Sequence, residues 1–406
     1  MKGHAQREHP DFDHMGELAR SHREGEALPR LFYTSEAVYE HDIDAFWNES
    51  WIWVGHASEI PAPGDFFLFD YGPESIIVTR DRGGDIRALV NVCRHRGSRV
   101  CLERSGNASR FVCPYHAWTY DLHGRLLSGR AMEVGFDPDA FGLLRAELRV
   151  FQGLVFISLA DDPPPIDAPL KRLSMRTSPF GLDNLKVVHK ASYPVPANWK
   201  LALENYLECY HCAPAHKEYS RSHSLKDPAS MTPELVSAMQ EKSQAAGLPT
   251  DEVNETGGLA EAWGTDIYYR RYPLYPGYLT GSQDGAPLAP LLGSLTDFDG
   301  GATDIQIGIL NNFLAYSDHV VGYRFVPRSS KETDIQIVWM VRADAEEGRD
   351  YDMERLTWLW HVTSLDDERI IRHNQAGVNS HRFLPGPLSS MEWGIEGFYQ
   401  GYLATV

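Results

Sequence analysis

The chain has 406 residues, with 38 Lys and Arg against 56 Asp and Glu, a formal net charge of −18. At roughly 100–200 residues per domain this length holds more than one domain, and 43% hydrophobic with 23% charged residues is ordinary globular usage, which excludes disordered and fibrous chains. The acidic balance argues against nucleic acid or an anionic membrane as partner, since both select clustered Lys and Arg.

No run approaches the ~18–20 apolar residues of a membrane span, and the opening MKGHAQREHPDFDH has no apolar stretch after its basic residues, so no secretory leader is expected. Five scattered cysteines do not make a disulfide framework. A cytoplasmic protein handling small molecules is the expectation. In chain order, Ser35 is placed to cap a helix over EAVYEHDIDAFWNES, with Val38, Ile43 and Phe46 on its packed face. From Trp51 the texture changes to strand-length apolar runs (WIWVGH, DFFLFDYG, SIIVTR, IRALVNVC, RFVCPYHAW, LVFISLA) separated by turn residues. DDPPPIDAP, at 161–169, reads as a linker.

Beyond the linker the types mix. Trp199 to His216 is predicted as one helix, 225–263 as helical and exposed, and 276–304 as a Gly/Pro-rich loop too long to be a passive connector. IQIGILNNFLAY, HVVGYRFVP and DIQIVWMVRA read as strands of an antiparallel sheet. Leu356, Leu359, Trp360, Ile370 and Ile371 then recur at helical spacing. The predicted fold class is α+β, divided into an N-terminal helical segment (1–44) packing on the last domain, an all-β domain (45–162), and an α+β domain (163–406) whose antiparallel sheet packs against long helices over a pocket.

The strongest motif lies in the all-β part: Cys93-Arg-His95, then 17 residues, then Cys113-Pro-Tyr-His116. Each pair offers a thiolate and an imidazole at a hairpin tip. A zinc site of the Cys₂His₂ kind takes two Cys and then two His. The order Cys, His, Cys, His fits a Rieske [2Fe–2S] cluster, in which two Cys hold one iron and two His the other. Cys101, between the pairs, reads as a buried core thiol.

The second constellation is Asn205-Tyr-Leu-Glu208-Cys-Tyr-His211-Cys-Ala-Pro-Ala-His216. Glu208 and His211, three apart, would share a helix face, with Pro214 breaking the helix so that His216 turns back. Two imidazoles and one carboxylate from elsewhere make the facial triad of a non-haem Fe(II) oxygenase, with positions open for O₂ and substrate. Cys209 and Cys212 form a CxxC around His211; packing thiols is the plainer reading against redox or zinc chemistry.

With both motifs in place, the chain resembles the α-subunits of Rieske non-haem iron oxygenases, the ring-hydroxylating family. The resemblance runs from LPRLFYTSEAVYEHDIDAFW through the cluster motifs and NWKLALENYLECYHCAPAH to the late helix. It implies that Cys93, His95, Cys113 and His116 hold the cluster and that His211 and His216 hold the mononuclear iron. An Asp eight residues before a Gln completes that site: Asp367, eight before Gln375, with Asp366 as the fallback. It implies a bridging carboxylate at Glu208, where the family more often has Asp, joining a cluster histidine of one subunit to the iron-site histidine of its neighbour, with Asn205 beside it. It further implies a helix-grip catalytic domain, a homotrimeric ring, and electrons delivered from NAD(P)H by a separate flavin and iron–sulfur reductase or ferredoxin.

The ECYHC sequence and the C-terminal tail resemble the subgroup acting on betaine- and carnitine-type quaternary ammonium compounds. For such a substrate, N-methyl hydroxylation leads to N-demethylation; the alternative is hydroxylation of an aromatic carboxylate ring. Aromatic faces bind such cations, and the candidate substrate contacts are Tyr206 together with Tyr269 and Tyr272, the latter two in a segment that Pro273 and Pro276 mark as extended. Arg270 and Arg271 are candidates for meeting an anionic group.

Overall fold

The computed structural model describes residues 10–226, 231–255 and 265–406; positions 1–9 of the N-terminal segment, 227–230 and 256–263 of the stretch expected to be helical, and position 264 lie outside the described residues. The N-terminal part forms α1 (Pro10–Ser21), α2 (Leu31–Thr34) and α3 (Glu36–His41). Ser35 caps α3 by accepting from the Val38 N–H at 3.3 Å, as its position predicts. The chain then widens into a π-helical stretch, Asp42–Trp47, which buries Ile43, Phe46 and Trp47 together. Asp42, in this stretch, accepts from Trp199 Nε1 at 3.0 Å and from the Tyr402 hydroxyl at 2.6 Å, and pairs with Lys200 Nζ. A charge pair with neither side chain exposed persists only when its partners are this complete. It ties the N-terminal segment to the helix that enters the catalytic site.

The all-β part comprises β1 (Ile52–His56), β2 (Asp65–Tyr71), β3 (Glu74–Arg80), β4 (Ile86–Val90), β5 (Ser105–Asn107), β6 (Phe111–Val112), β7 (Thr119–Tyr120), β8 (Leu126–Ser128), β9 (Glu147–Phe151) and β10 (Leu154–Ser158). They make three antiparallel sheets, ordered β4-β3-β2-β5, β6-β7-β8 and β1-β10-β9. The apolar runs of the sequence are these strands, because alternate residues bury on each pleated face.

α4 (Asp167–Thr177) follows, and then β11 (Leu185–Val195), whose partners come much later in the chain. Trp199–His216 is not one helix. α5 (Trp199–Tyr206), capped by Asn198 accepting from the Lys200 N–H, ends at Tyr206, and α6 (Cys212–Ala215) and α7 (Tyr219–Ser222) are single turns. The break precedes Pro214, which sits harmlessly in the first turn of α6, where its missing N–H is not needed. The cause lies in Glu208, whose carboxylate takes the backbone N–H groups of Tyr210 and His211 and so offers them an alternative to the helical ladder.

α8 (Pro233–Ala245) is capped by Thr232 and is less exposed than expected, burying Met239 and Ser243. A seven-stranded antiparallel sheet forms the heart of the C-terminal part, ordered β11-β17-β16-β15-β14-β13-β12. Its remaining strands are β12 (Val253–Asn254), β13 (Ile267–Pro273), β14 (Gly301–Ile307), β15 (Asn312–Ala315), β16 (Val320–Ser329) and β17 (Glu332–Arg342). The stretch IQIGILNNFLAY, expected as one strand, holds the end of β14, a turn over 308–311 and all of β15. Gly308 takes a φ of 58° there, and the Ile307 N–H donates to the Asn311 carbonyl at 3.0 Å.

Two helices complete this part: α9 (Met353–Val378) and α10 (Trp393–Leu403). α5 and α9 cover one face of the sheet, the arrangement that helix-grip describes. Asn311 locks the two parts of the chain together: its side chain accepts from the Trp53 N–H at 2.5 Å and donates to the Trp51 carbonyl at 2.9 Å. Among the described residues no helix is long and apolar enough to cross a membrane.

Candidate active site and cluster loops

The two Cys–His loops are built alike. Cys93 N–H donates to Ser98 O at 2.8 Å and Gly97 N–H returns to Cys93 O at 2.9 Å; Cys113 N–H donates to Trp118 O at 2.8 Å and Ala117 N–H to Cys113 O at 3.0 Å. Gly97 and Ala117 occupy the same position in each loop, and both take positive φ, 77° and 58°. That is unremarkable for Gly and costs the alanine about 1 kcal/mol or more. Asn91 fixes the base of the first loop, accepting from the Val100 and Cys101 N–H groups.

Both thiols are buried and both imidazoles lie outward, His95 exposed and His116 half-buried. The two Nδ1 atoms face each other at 3.2 Å. His95 stacks on Trp118 with centroids 5.0 Å apart, and Tyr115 covers His116 at 3.9 Å. The Tyr120 hydroxyl sits 3.3 Å from the Cys93 sulfur. Two inward thiols and two converging ring nitrogens are a donor set that would hold a sulfur-bridged iron pair. Cys101 is a buried core thiol beside them, as expected.

The second site forms where the break after α5 meets α9. His211 Nε2 and His216 Nε2 are 3.0 Å apart, and Asp367 Oδ1 lies 3.0 Å from His216 Nε2 and 3.5 Å from His211 Nε2. Among the described residues this buried oxygen has no hydrogen-bond partner beyond its approach to these two imidazoles, a costly state unless a cation completes it. Asp366 faces elsewhere: it approaches the other nitrogen of His216, at 3.6 Å, and Arg369 at 3.4 Å. The convergence of three atoms on one point singles out Asp367 over Asp366. Glu208 accepts from His211 Nδ1 at 2.6 Å, and Asn205 Nδ2 lies 3.4 Å from His211 Nε2. Burial opposes a charge on His211, but Asp367 and Glu208 outweigh it and hold its pKa up at about 10. The same imidazoles hold Asp367 below the usual carboxylate range against the opposing effect of burial. A site that draws a cation so strongly suits a divalent metal. Cys209 and Cys212 lie side by side, their sulfurs 2.7 Å apart, and Cys212 Sγ is 3.9 Å from His211 Nε2.

Above this site opens a cavity of about 1030 Å³. Its floor is the sheet face bearing Tyr268, Arg270 and Tyr272 of β13 and Asp304 and Gln306 of β14; α5 contributes Tyr206 and α9 contributes Trp360, Thr363 and Asp367. Two segments distant in sequence frame its opening. Gly25 N–H donates to Glu396 Oε2 at 2.9 Å, and Ala27 and Leu388 exchange backbone hydrogen bonds with Gly386 and Gly25. Trp393, exposed beside them, tilts against Tyr268.

Of the substrate candidates, Tyr206 and Tyr272 line the cavity. Tyr269 does not: it belongs to the core on the opposite face, and its hydroxyl donates to Pro249 O at 3.0 Å. Adjacent residues of a strand point to opposite faces, so β13 turns its even positions to the cavity and its odd ones away. Arg271 is likewise withdrawn into a fully buried pair with Asp299. Sequence reasoning missed Asp304, and it took Trp360 only as a packing residue. The spacing of Trp360, Thr363 and Asp367 over two turns of helix was the available signal.

Family models match in two places: Rieske [2Fe-2S] domain over residues 50–145, and Ring hydroxylating alpha subunit (catalytic domain) over 182–406. The chain is 35% identical to the glycine betaine monooxygenase oxygenase subunit of Chromohalobacter salexigens, covering 97% of this chain and 89% of that protein. It is 35% identical to the carnitine monooxygenase oxygenase subunit of Escherichia coli K12, over 52% of this chain and 58% of that one. Among solved structures, the quaternary ammonium Rieske monooxygenase CntA with L-carnitine superposes with a TM-score of 0.67 at 22% identity, covering 96% and 97% of the two chains. The two donor constellations, the fold around them and these matches have one meaning: the chain belongs to the ring-hydroxylating α-subunit family of Rieske non-haem iron oxygenases.

Proposed function

We propose that this oxygenase hydroxylates an N-methyl group of a small betaine-type zwitterion. With O₂, two electrons and two protons, the methyl becomes a carbinolamine and water forms; the carbinolamine then collapses to formaldehyde and the demethylated amine. The observation that carries this reading is the 35% identity over 97% of the chain to a glycine betaine monooxygenase subunit. The cavity supports it, with aromatic rings over a floor that bears both an acid and an arginine.

In this reading Cys93, Cys113, His95 and His116 hold the cluster, and His211, His216 and Asp367 hold the iron. When bound, the cluster stores single electrons and the ferrous ion activates O₂. Glu208 retains the Nδ1 proton of His211 and so frees Nε2 for the metal. Asn205 Nδ2, 3.4 Å from that Nε2, stands at the edge of the iron site. Tyr206 and Tyr272 bound the substrate. An oxygenase subunit draws its electrons from a separate reductase, and a flavin and iron–sulfur type oxidising NAD(P)H is the partner we assign. Exposed Leu102, Val112, Tyr115 and Leu127 surround the cluster loops, and Tyr210 is exposed beside Glu208. We infer a head-to-tail homotrimer in which these faces meet, giving Glu208 a cluster histidine of the neighbouring copy to bridge. Five free thiols suit the cytoplasm as its location.

The test is a panel of betaines, carnitine and aromatic carboxylates assayed with a reductase for O₂ uptake and formaldehyde. Formaldehyde matching O₂ consumed, from a betaine, is the expected result. Hydroxylated rings without formaldehyde would overturn it.

A further inference from the structure

Two Arg–Asp pairs are built into β13 and its surroundings, and they are treated oppositely. On the core face, Arg271 and Asp299 close on each other: Arg271 Nε donates to Asp299 Oδ2 at 2.6 Å, and Ser317 and the Gly301 N–H donate to Asp299 Oδ1. On the cavity face, Arg270 stands directly across the ladder from Asp304, yet they form no ion pair. Arg270 turns to Glu252, at 3.7 Å.

Asp304 thus faces the cavity with no hydrogen-bond donor on its carboxylate among the described residues. Burial pushes it up to about 7, with Arg270 as the one charge that opposes this. The acid's surroundings are phenol rings. Tyr206, Tyr268 and Tyr272 are all pushed up first by burial and then by the charge of Asp304. The other acids deep in the cavity, Glu208 and Asp367, are engaged with His211 and His216.

A primary ammonium group would call for acceptors arranged around its N–H bonds. A quaternary ammonium group has no N–H. Its complement is a negative charge that needs no donor geometry, set among aromatic faces. We propose that Asp304 is the counter-ion of the substrate's quaternary ammonium head, framed by the rings of Tyr206, Tyr268 and Tyr272, while Arg270 meets the substrate's carboxylate. The proposal rests on the betaine reading above and adds to it the residues that distinguish a zwitterion from a simple acid.

The experiment compares glycine betaine with 3,3-dimethylbutanoate, which has the same shape and carboxylate but carbon in place of the charged nitrogen. Both are titrated calorimetrically into the holoenzyme, as wild type, Asp304→Asn and Arg270→Gln. The wild type is expected to prefer betaine by at least about tenfold, from a unit-charge attraction at partly desolvated contact distance. Asp304→Asn should lose at least roughly tenfold in betaine affinity with the isostere within about twofold, whereas Arg270→Gln should weaken both ligands alike.

An unchanged preference in Asp304→Asn, equal weakening of both ligands, or loss of its cluster absorbance would overturn the counter-ion role. Should the wild type release formaldehyde from betaine while Asp304→Asn keeps the preference, the counter-ion role alone fails. Should the wild type neither bind betaine nor demethylate it, the substrate class fails and the counter-ion role falls with it.

Discussion

Glu208→Gln tests the proposed bridge between the cluster and the iron site. The carboxylate accepts from three donors: His211 Nδ1 at 2.6 Å, the His211 N–H at 3.1 Å and the Tyr210 N–H. Glutamine keeps the length but only one accepting oxygen, so it satisfies either the loop backbone or the imidazole. The loop N–H groups cannot move without unravelling the break after α5, and the imidazole contact is the one that yields. A hydrogen bond to a charged group is worth roughly 1.5–3 kcal/mol, which corresponds to about 10–150-fold in an equilibrium that depends on it.

Iron affinity, measured by competition with a chelator, should therefore fall by roughly 10–100-fold, the range for outer partners of a metal-bound histidine. The decisive measurement follows saturation with ferrous ion. The cluster is reduced, substrate and O₂ are added, and reoxidation is followed by absorbance. A bridging carboxylate predicts that reoxidation stays slowed at full iron loading. Wild-type reoxidation in the iron-saturated variant would confine Glu208 to holding His211 and refute the bridge.

Four further outcomes are expected. Asp367→Asn should weaken iron binding by more than the roughly 100-fold an outer partner costs, and Asp366→Asn by no more than that; iron analysis after desalting separates them, and the reverse order would reassign the ligand. Asp42→Ala leaves the Lys200 ammonium buried and unpaired, costing about 3–5 kcal/mol, most of it recovered in the double variant with Lys200→Met; calorimetric unfolding showing no recovery would discount the charge. Gly322→Ala drives a methyl into the Trp53 indole, where β16 meets the cluster domain, and should cost about 1–3 kcal/mol by urea midpoint. Burial is the main cause that raises Glu204 to about 8 from an ordinary 4.5. The folded state therefore holds a proton that the unfolded chain has lost, and stability is full below about pH 4.5 and falls as pH rises to 8. Glu204→Gln should flatten that fall in melting temperature.

Both candidate metal motifs stand out in the sequence because ligand chemistry dictates residue type and loop geometry dictates short spacing: in the first, Cys93 to His95 and Cys113 to His116 lie within single turns. The capping of α3 by Ser35 was legible for the same reason of locality. Asp367 was not readable from spacing alone, being over 150 positions from His211; resemblance supplied it, and the convergence on His216 Nε2 separates it from Asp366. The helix over Trp199–His216 was misjudged because propensity favours Leu, Ala and Glu, while one side chain, Glu208, diverts two backbone N–H groups. Tyr269 was placed on the wrong face although strand periodicity already separates it from Tyr272. Asp304 gained meaning only from its register opposite Arg270, a pairing that no local pattern in the sequence announces.

The framing of the cavity opening has its own consequence. Gly25 and Glu396, joined there by a hydrogen bond, are 371 positions apart, and neither belongs to the sheet or to the helices that carry the metal ligands. The gateway is thus upholstered separately from the machinery. Residues such as Leu388, Met391 and Trp393 can be exchanged to admit bulkier or slimmer guests without disturbing the iron, and a tag fused close to Gly25 would obstruct traffic while leaving spectra intact.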